Sequence, residues 1–165
     1  MKIFAKLSIG SIQSARDEIH IYKDSLDGKI RQFVEELAEY GISIAEQNTG
    51  EWGKHIEFIK QVTETQTGCK AIMIMRDREQ IIPPHDSRPV SPSMMAEYGA
   101  GHFAVNGWQG TFPEQQHAFD PKGWWYLGKD DKWHHSYGIH PKRPMYTAYQ
   151  DMLNHINEVA KRVFA

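Results

Sequence analysis

Pro144 can open a helix, because its missing N–H falls among the donors that a helix start leaves unpaired. Met145, Tyr149, Met152, Ile156, Val159 and Val163 then recur at alternating four- and three-residue intervals. This seam predicts a helix to the end of the chain, and it needs a surface to cover it. Fewer than three heptads are available, which favours packing on a sheet within one subunit over a coiled coil between subunits.

The first third of the chain carries a second amphipathic pattern. From about Leu26, the positions Ile30, Phe33, Val34, Leu37, Gly41, Ile44 and Ala45 form one face of a helix. Asn48-Thr49-Gly50 should end it, with Gly50 in the left-handed cap. Ahead of it, Ser14 with Asp17 resembles a capping box and predicts a separate short helix to Lys23. Ile3 to Ile12 is β-branched and partly alternating, which predicts a strand.

Further along, Ile56–Thr65 and Lys70–Arg76 flank Gln66-Thr67-Gly68-Cys69 in the pattern of a hairpin. Pro83, Pro84, Pro89 and Pro92 make the stretch from Ile81 to Pro92 an exposed arm, mobile or pinned by a partner. Between Gly99 and Gly138 lies every Trp except Trp52, and Trp124-Trp125-Tyr126 and Trp133 to Tyr137 suggest a second hairpin around Gly128 to Asp131. The expected fold class is α+β: a mostly antiparallel sheet of about four or five strands packed against a long N-terminal helix and a C-terminal helix. The 165 residues fit a single domain, 1–165, with a Pro-rich arm at 81–92 and an aromatic-rich insertion at 102–139.

Charge and composition exclude several functions. The formal net charge of −2 argues against a generic phosphate-backbone binder, and specific nucleic-acid binding is not expected. The charge is split, with ten acidic and five basic residues from Ser14 to Glu57 but seven basic and four acidic from Pro121 to Ala165. That division suits head-to-tail contact between subunits as well as contact within one. No apolar run reaches the roughly 20 residues of a membrane span, and the start lacks a signal-peptide core, so the chain is expected to be made in the cytoplasm with no membrane partner. Cys69 is the one cysteine, which excludes an internal disulfide.

Candidate chemistry is sparse. Gly99-Ala100-Gly101-His102-Phe103-Ala104 matches a dinucleotide fingerprint in letters, but no buried strand leads into it and Asn106-Gly107 would break the helix that should follow. His134, His135 and His140 are close in sequence, but adjacent residues of a strand point to opposite faces, so no metal is expected. Cys69 as a thiolate, or Glu97, Asp130 and Asp131 as paired carboxylates, would be needed for a small hydrolase, and no spacing gives any of them a partner. Neither enzyme activity nor a cofactor is expected. The aromatic cluster of Trp108, Phe112, Phe119, Trp124, Trp125, Tyr126, Trp133 and Tyr137 reads as core and interface anchor, with a sugar-stacking platform as the alternative.

Three short motifs carry a family resemblance: Asn48-Thr49-Gly50, Ala96-Glu97-Tyr98-Gly99-Ala100-Gly101, and His140-Pro141-Lys142-Arg143-Pro144-Met145-Tyr146-Thr147-Ala148-Tyr149 leading into the last helix. In this order the chain resembles the phage neck and minor tail protein family, the tail components found beside the head-joining genes of siphophages and prophages. That family typically has a Glu-Phe-Gly-Thr-like turn and an Ala-Arg-Pro-Phe-like helix entry at these places. This chain departs in its long aromatic stretch from His102 to Ile139 and in Trp52, which stands where an aliphatic residue is usual. The resemblance implies a structural virion protein at the head-tail junction, a neck or tail-completion component made in the host cytoplasm. Its partners would be other connector and tail proteins, and it would act in a homo-oligomeric ring. The expected protein interface comprises Glu35, Glu36, Glu39, Pro83, Pro84, Trp124, Trp125, Trp133, Lys142 and Arg143, with Lys142 and Arg143 facing a neighbour's glutamates. A carbohydrate-binding module built on Trp124, Trp125 and Trp133 is the rival.

Overall fold

The computed structural model describes residues 9–82, 89–105 and 122–165. Helix α1 is one continuous helix of 39 residues, Ile9–Gln47, where a strand, a short helix and a longer helix were expected. The first turns of α1 occupy residues 9–12 of the expected strand, and residues 3–8 lie outside the described residues. Ile9, Ile12 and Ala15 recur every third residue, a helical rather than an alternating pattern. The Ser14 hydroxyl donates to the Gly10 carbonyl at 3.1 Å, so it back-bonds inside the helix instead of capping one. Gly28 costs the helix only about 1 kcal/mol relative to Ala, too little to break it.

The end of α1 is as expected. Asn48 Nδ2 donates to the Ile44 carbonyl at 2.8 Å and Thr49 Oγ1 to that of Glu46 at 2.8 Å. Gly50 then takes φ +60 and starts a 3-10 turn, Gly50–His55. The first hairpin follows as strands β1, Ile56–Thr65, and β2, Gly68–Asp77, in register from Ile56↔Asp77 to Thr65↔Gly68. Ile81 and Val90 bridge through N–H donations of 3.0 and 2.8 Å and so close the base of the Pro-rich segment.

Helix α2, Pro92–Tyr98, was not expected. The Ser91 hydroxyl accepts from the Met94 N–H at 3.4 Å, and Pro92 sits buried in the first turn, where its lack of an N–H is harmless. Pro92 is therefore a helix start packed in its own chain, not part of an exposed arm. Strands β3, Ala100–Gly101, β4, Trp124–Leu127, β5, Trp133–Ser136, and β6, Gly138–Ile139, precede helix α3, Pro144–Phe164.

The fold is α+β, with long helices near both ends and antiparallel strands between them. Among the described residues the strands form three two-stranded sheets, β1-β2, β3-β6 and β4-β5, in place of one larger sheet. The β3-β6 pair spans two residues a side, and the His102 N–H donates to the Tyr137 carbonyl at 2.8 Å just beyond it.

Helix α3 lies antiparallel on the second half of α1. The Phe33 and Phe164 rings are 5.7 Å apart, Tyr40 stacks on His155 at 4.2 Å, and Arg162 donates twice to Glu36 Oε2, at 3.1 and 2.7 Å. Small residues at the crossing, Ala38, Gly41, Ala45 and Ala148, are all buried and let the backbones approach. Met73 of β2 and Met152 of α3 both close on Gly41, so α1 meets hairpin and helix at one point. The seam of α3 thus rests on α1 rather than on a sheet. Tyr149, expected inside that seam, lies outside it and is exposed, because the buried line runs through Ala148, Val159 and Val163.

Candidate functional site

The three motifs that carry the family resemblance meet in space. The Ala96 carbonyl accepts from the N–H groups of Lys142, at 2.7 Å, and Arg143, at 3.0 Å. The next side chain, Glu97, is buried and caps α3 with both oxygens, Oε2 accepting from the Met145 N–H at 2.8 Å and Oε1 from that of Tyr146 at 3.1 Å. A carboxylate at a helix start satisfies unpaired donors and complements the helix dipole. Gly99 takes φ +70, and a Cβ there would fall 2.4 Å from the Ile139 carbonyl oxygen, so only glycine fits. The Lys142 stem crosses Gly50, where a Cβ would lie 3.1 Å from its Cε. Residues 48–50, 96–101 and 140–146 therefore form one node that sets where α3 begins.

Arg143 shows that this node is under strain. It has φ 57 and ψ 47, the left-handed region, directly before Pro144. Its guanidinium lies 4.1 Å from the Tyr146 ring centroid, a cation–π contact. Beside it opens a cleft of about 330 Å³ lined by Glu97, Tyr98, Val105, Arg143, Tyr146 and Tyr149. Of these, Tyr146 and Tyr149 are exposed, and Leu153, one turn further along α3, is exposed with them.

The expected interface residues are scattered over the surface. Glu35 pairs with Arg31 at 3.0 Å, Glu36 with Arg162 at 2.7 Å, and Glu39 with Lys60. All three are engaged within the chain. Arg162 and then Gln32 hold the Glu36 carboxyl below its ordinary range by donating to it. Glu36 also faces the C-terminal end of α3, roughly 28 Å along the helix from Arg143. Pro83 and Pro84 lie outside the described residues. Trp124 is half-buried over Gly101, while Trp125 and Trp133 are 64% and 67% exposed. Pairing of Trp125 with His135 and Leu127 with Trp133 puts both exposed indoles on one face of the hairpin.

Other candidate groups are held by their neighbours. Asp130 Oδ1 lies 2.8 Å from His134 Nε2 and accepts from the Lys132 N–H at 3.4 Å, a turn lock in which His134 draws the Asp130 carboxyl below its ordinary range. Cys69 sits opposite Glu64 in the first hairpin. No group of three His, Cys, Asp or Glu able to hold a metal ion occurs among the described residues.

The surface that sequence reasoning missed is on α1. From Arg16 to Gly28 every residue is exposed, so the N-terminal half of the helix is an arm about 30 Å long. Ile12, Ala15, Ile19, Tyr22 and Leu26 run along it at three- and four-residue spacing, with Ile19 55% and Tyr22 53% exposed. The spacing was present in the sequence but was hidden by dividing the segment at Asp24. No family model matches this chain, and neither does any curated protein or solved structure.

Proposed function

We propose that this protein is a structural assembly component of a phage virion, joining head and tail through protein–protein contacts in a ring, and that it is not an enzyme. The observation that carries this reading is the α1 arm, which holds out an apolar stripe that no described part of its own chain covers. An apolar helix face of this length marks a protein contact. The node supports the reading from another side: the motifs that resemble the neck and minor tail family are there one mechanical unit, joined through Ala96, Glu97 and Gly99. The test is to sequence the reading frames beside this gene and to look for the protein by mass spectrometry in purified tailed particles. Portal, capsid and tail-tube genes alongside, with the protein in the particles, are expected. Polysaccharide or metabolic genes alongside, and particles lacking the protein, would overturn the reading.

A second reading has its own observation. Trp125 and Trp133 share the open face of the β4-β5 hairpin, a geometry in which indole rings can stack on sugars. Titration of tryptophan fluorescence with soluble polysaccharides tests it, and an unchanged emission would exclude it.

A further inference from the structure

Gly41 of α1 is buried at the point where three elements meet. A Cβ on it would lie 2.5 Å from the sulfur of Met152 in α3 and 2.7 Å from the sulfur of Met73 in β2. Two thioethers from different elements therefore converge on one spot, where only a glycine leaves room for them. The contacts that hold the three elements together surround it. Met73 stands opposite Lys60 in the hairpin register, and Lys60 pairs with Glu39 of α1. Met152 lies along α3 between Ala148, which is buried at the crossing, and His155, which stacks on Tyr40 of α1.

Methionine suits such a junction because its unbranched, polarizable side chain fills irregular gaps. Its sulfur also brings a reactivity that leucine lacks. Neither side chain is sealed from a small neutral oxidant: Met73 and Met152 are both half-buried, whereas Met95 of α2 is 4% exposed.

The oxidised side chain does not fit this junction. A sulfoxide is a polar acceptor that brings no donor of its own. Gly41 lies inside a continuous helix, whose backbone donors are used within it. A sulfoxide oxygen held against Gly41 goes unpaired, which carries the cost of a buried polar group, or it turns to water and draws the side chain off the glycine. Both outcomes weaken the meeting of α1, β2 and α3.

We propose that Met73 and Met152 form a paired oxidation site through which peroxide loosens α3 and the first hairpin from α1. At each sulfur a lone pair attacks one oxygen of hydrogen peroxide, and the O–O bond breaks. The sulfur is oxidised by two electrons to the sulfoxide, and the other oxygen leaves as water with both peroxide hydrogens. Methionine sulfoxide reductases return the thioether, so the loosening is reversible. This site is independent of the assembly reading above.

The test treats the full chain with graded hydrogen peroxide, maps sulfoxides by peptide mass spectrometry and follows the melting temperature. In the wild type, sulfoxide at Met73 and Met152 is expected to accompany a fall of about 5 °C or more, with faster amide exchange over residues 33–45 of α1 and 148–163 of α3. Reductase treatment should restore both readings. Met73→Leu with Met152→Leu nearly conserves volume and leaves Met75, Met94, Met95, Met145 and Cys69 in place. The same dose should lower its melting temperature by about 1 °C or less. Each single leucine variant should lose part of the fall, which gives the same test on a chain changed at one site. Three results would each overturn the site: Met73 and Met152 unoxidised while Met75 or Met145 reacts, both sulfoxides formed with an unchanged melting temperature, or a full fall that persists in the leucine variants.

Discussion

At Glu97 one carboxylate holds the start of a helix 48 residues away in the chain. Replacing it with alanine leaves the Met145 and Tyr146 N–H groups without that partner at a half-buried site, and should cost about 1–2 kcal/mol in urea unfolding. Gly99 faces a harder limit, because alanine there would combine a disfavoured φ with a backbone oxygen at 2.4 Å. Gly99→Ala should destabilise by about 3 kcal/mol. Gly28 is the opposite case: it is exposed in mid-helix, and a Cβ there meets nothing within 4 Å. Gly28→Ala should therefore stabilise by up to about 1 kcal/mol. None of these roles is legible from neighbours in sequence. Glu97 read as a possible catalytic carboxylate, and only the long-range fold shows that both of its oxygens are used by backbone.

Among the elements, α3 and the two hairpins were legible because each depends on a local rule: proline at a helix start, apolar spacing, and turn residues between β-branched or aromatic runs. The unity of α1 was not, since Ser14 and Asp17 imitate a helix start and the arm half has no packing partner among the described residues. Helix α2 was hidden for a different reason. Its cap and first-turn proline follow a run of prolines that reads as exposed chain. The α1–α3 contact carries a pH dependence with a definite sign. Glu36 is held below its ordinary range chiefly by Arg162, so the folded state binds fewer protons there than the unfolded chain. The contribution is present at neutral pH and is lost as acid takes the pH down through the lowered value. Melting temperature followed from neutral to acidic pH should fall less steeply for Glu36→Gln than for the wild type.

On the scale of the molecule, the α+β class follows from two apolar helices and short β-rich segments, but how the strands group could not be read. Among the described residues each of the three sheets stays two-stranded, with ladders of ten, four and two pairs. The site was half legible. Lys142 and Arg143 stand out in their motif; the structure puts Arg143 on one surface with Tyr146 and Tyr149, while the Lys142 stem lies over Gly50. The glutamates named with them belong to ion pairs inside the chain. The proposed assembly role requires that the arm be covered when molecules meet. Amide hydrogen exchange of residues 16–28 across a dilution series tests this most directly. Protection that rises with concentration, in step with oligomer mass, is the expected result; arm amides that exchange equally fast in monomer and oligomer would contradict it.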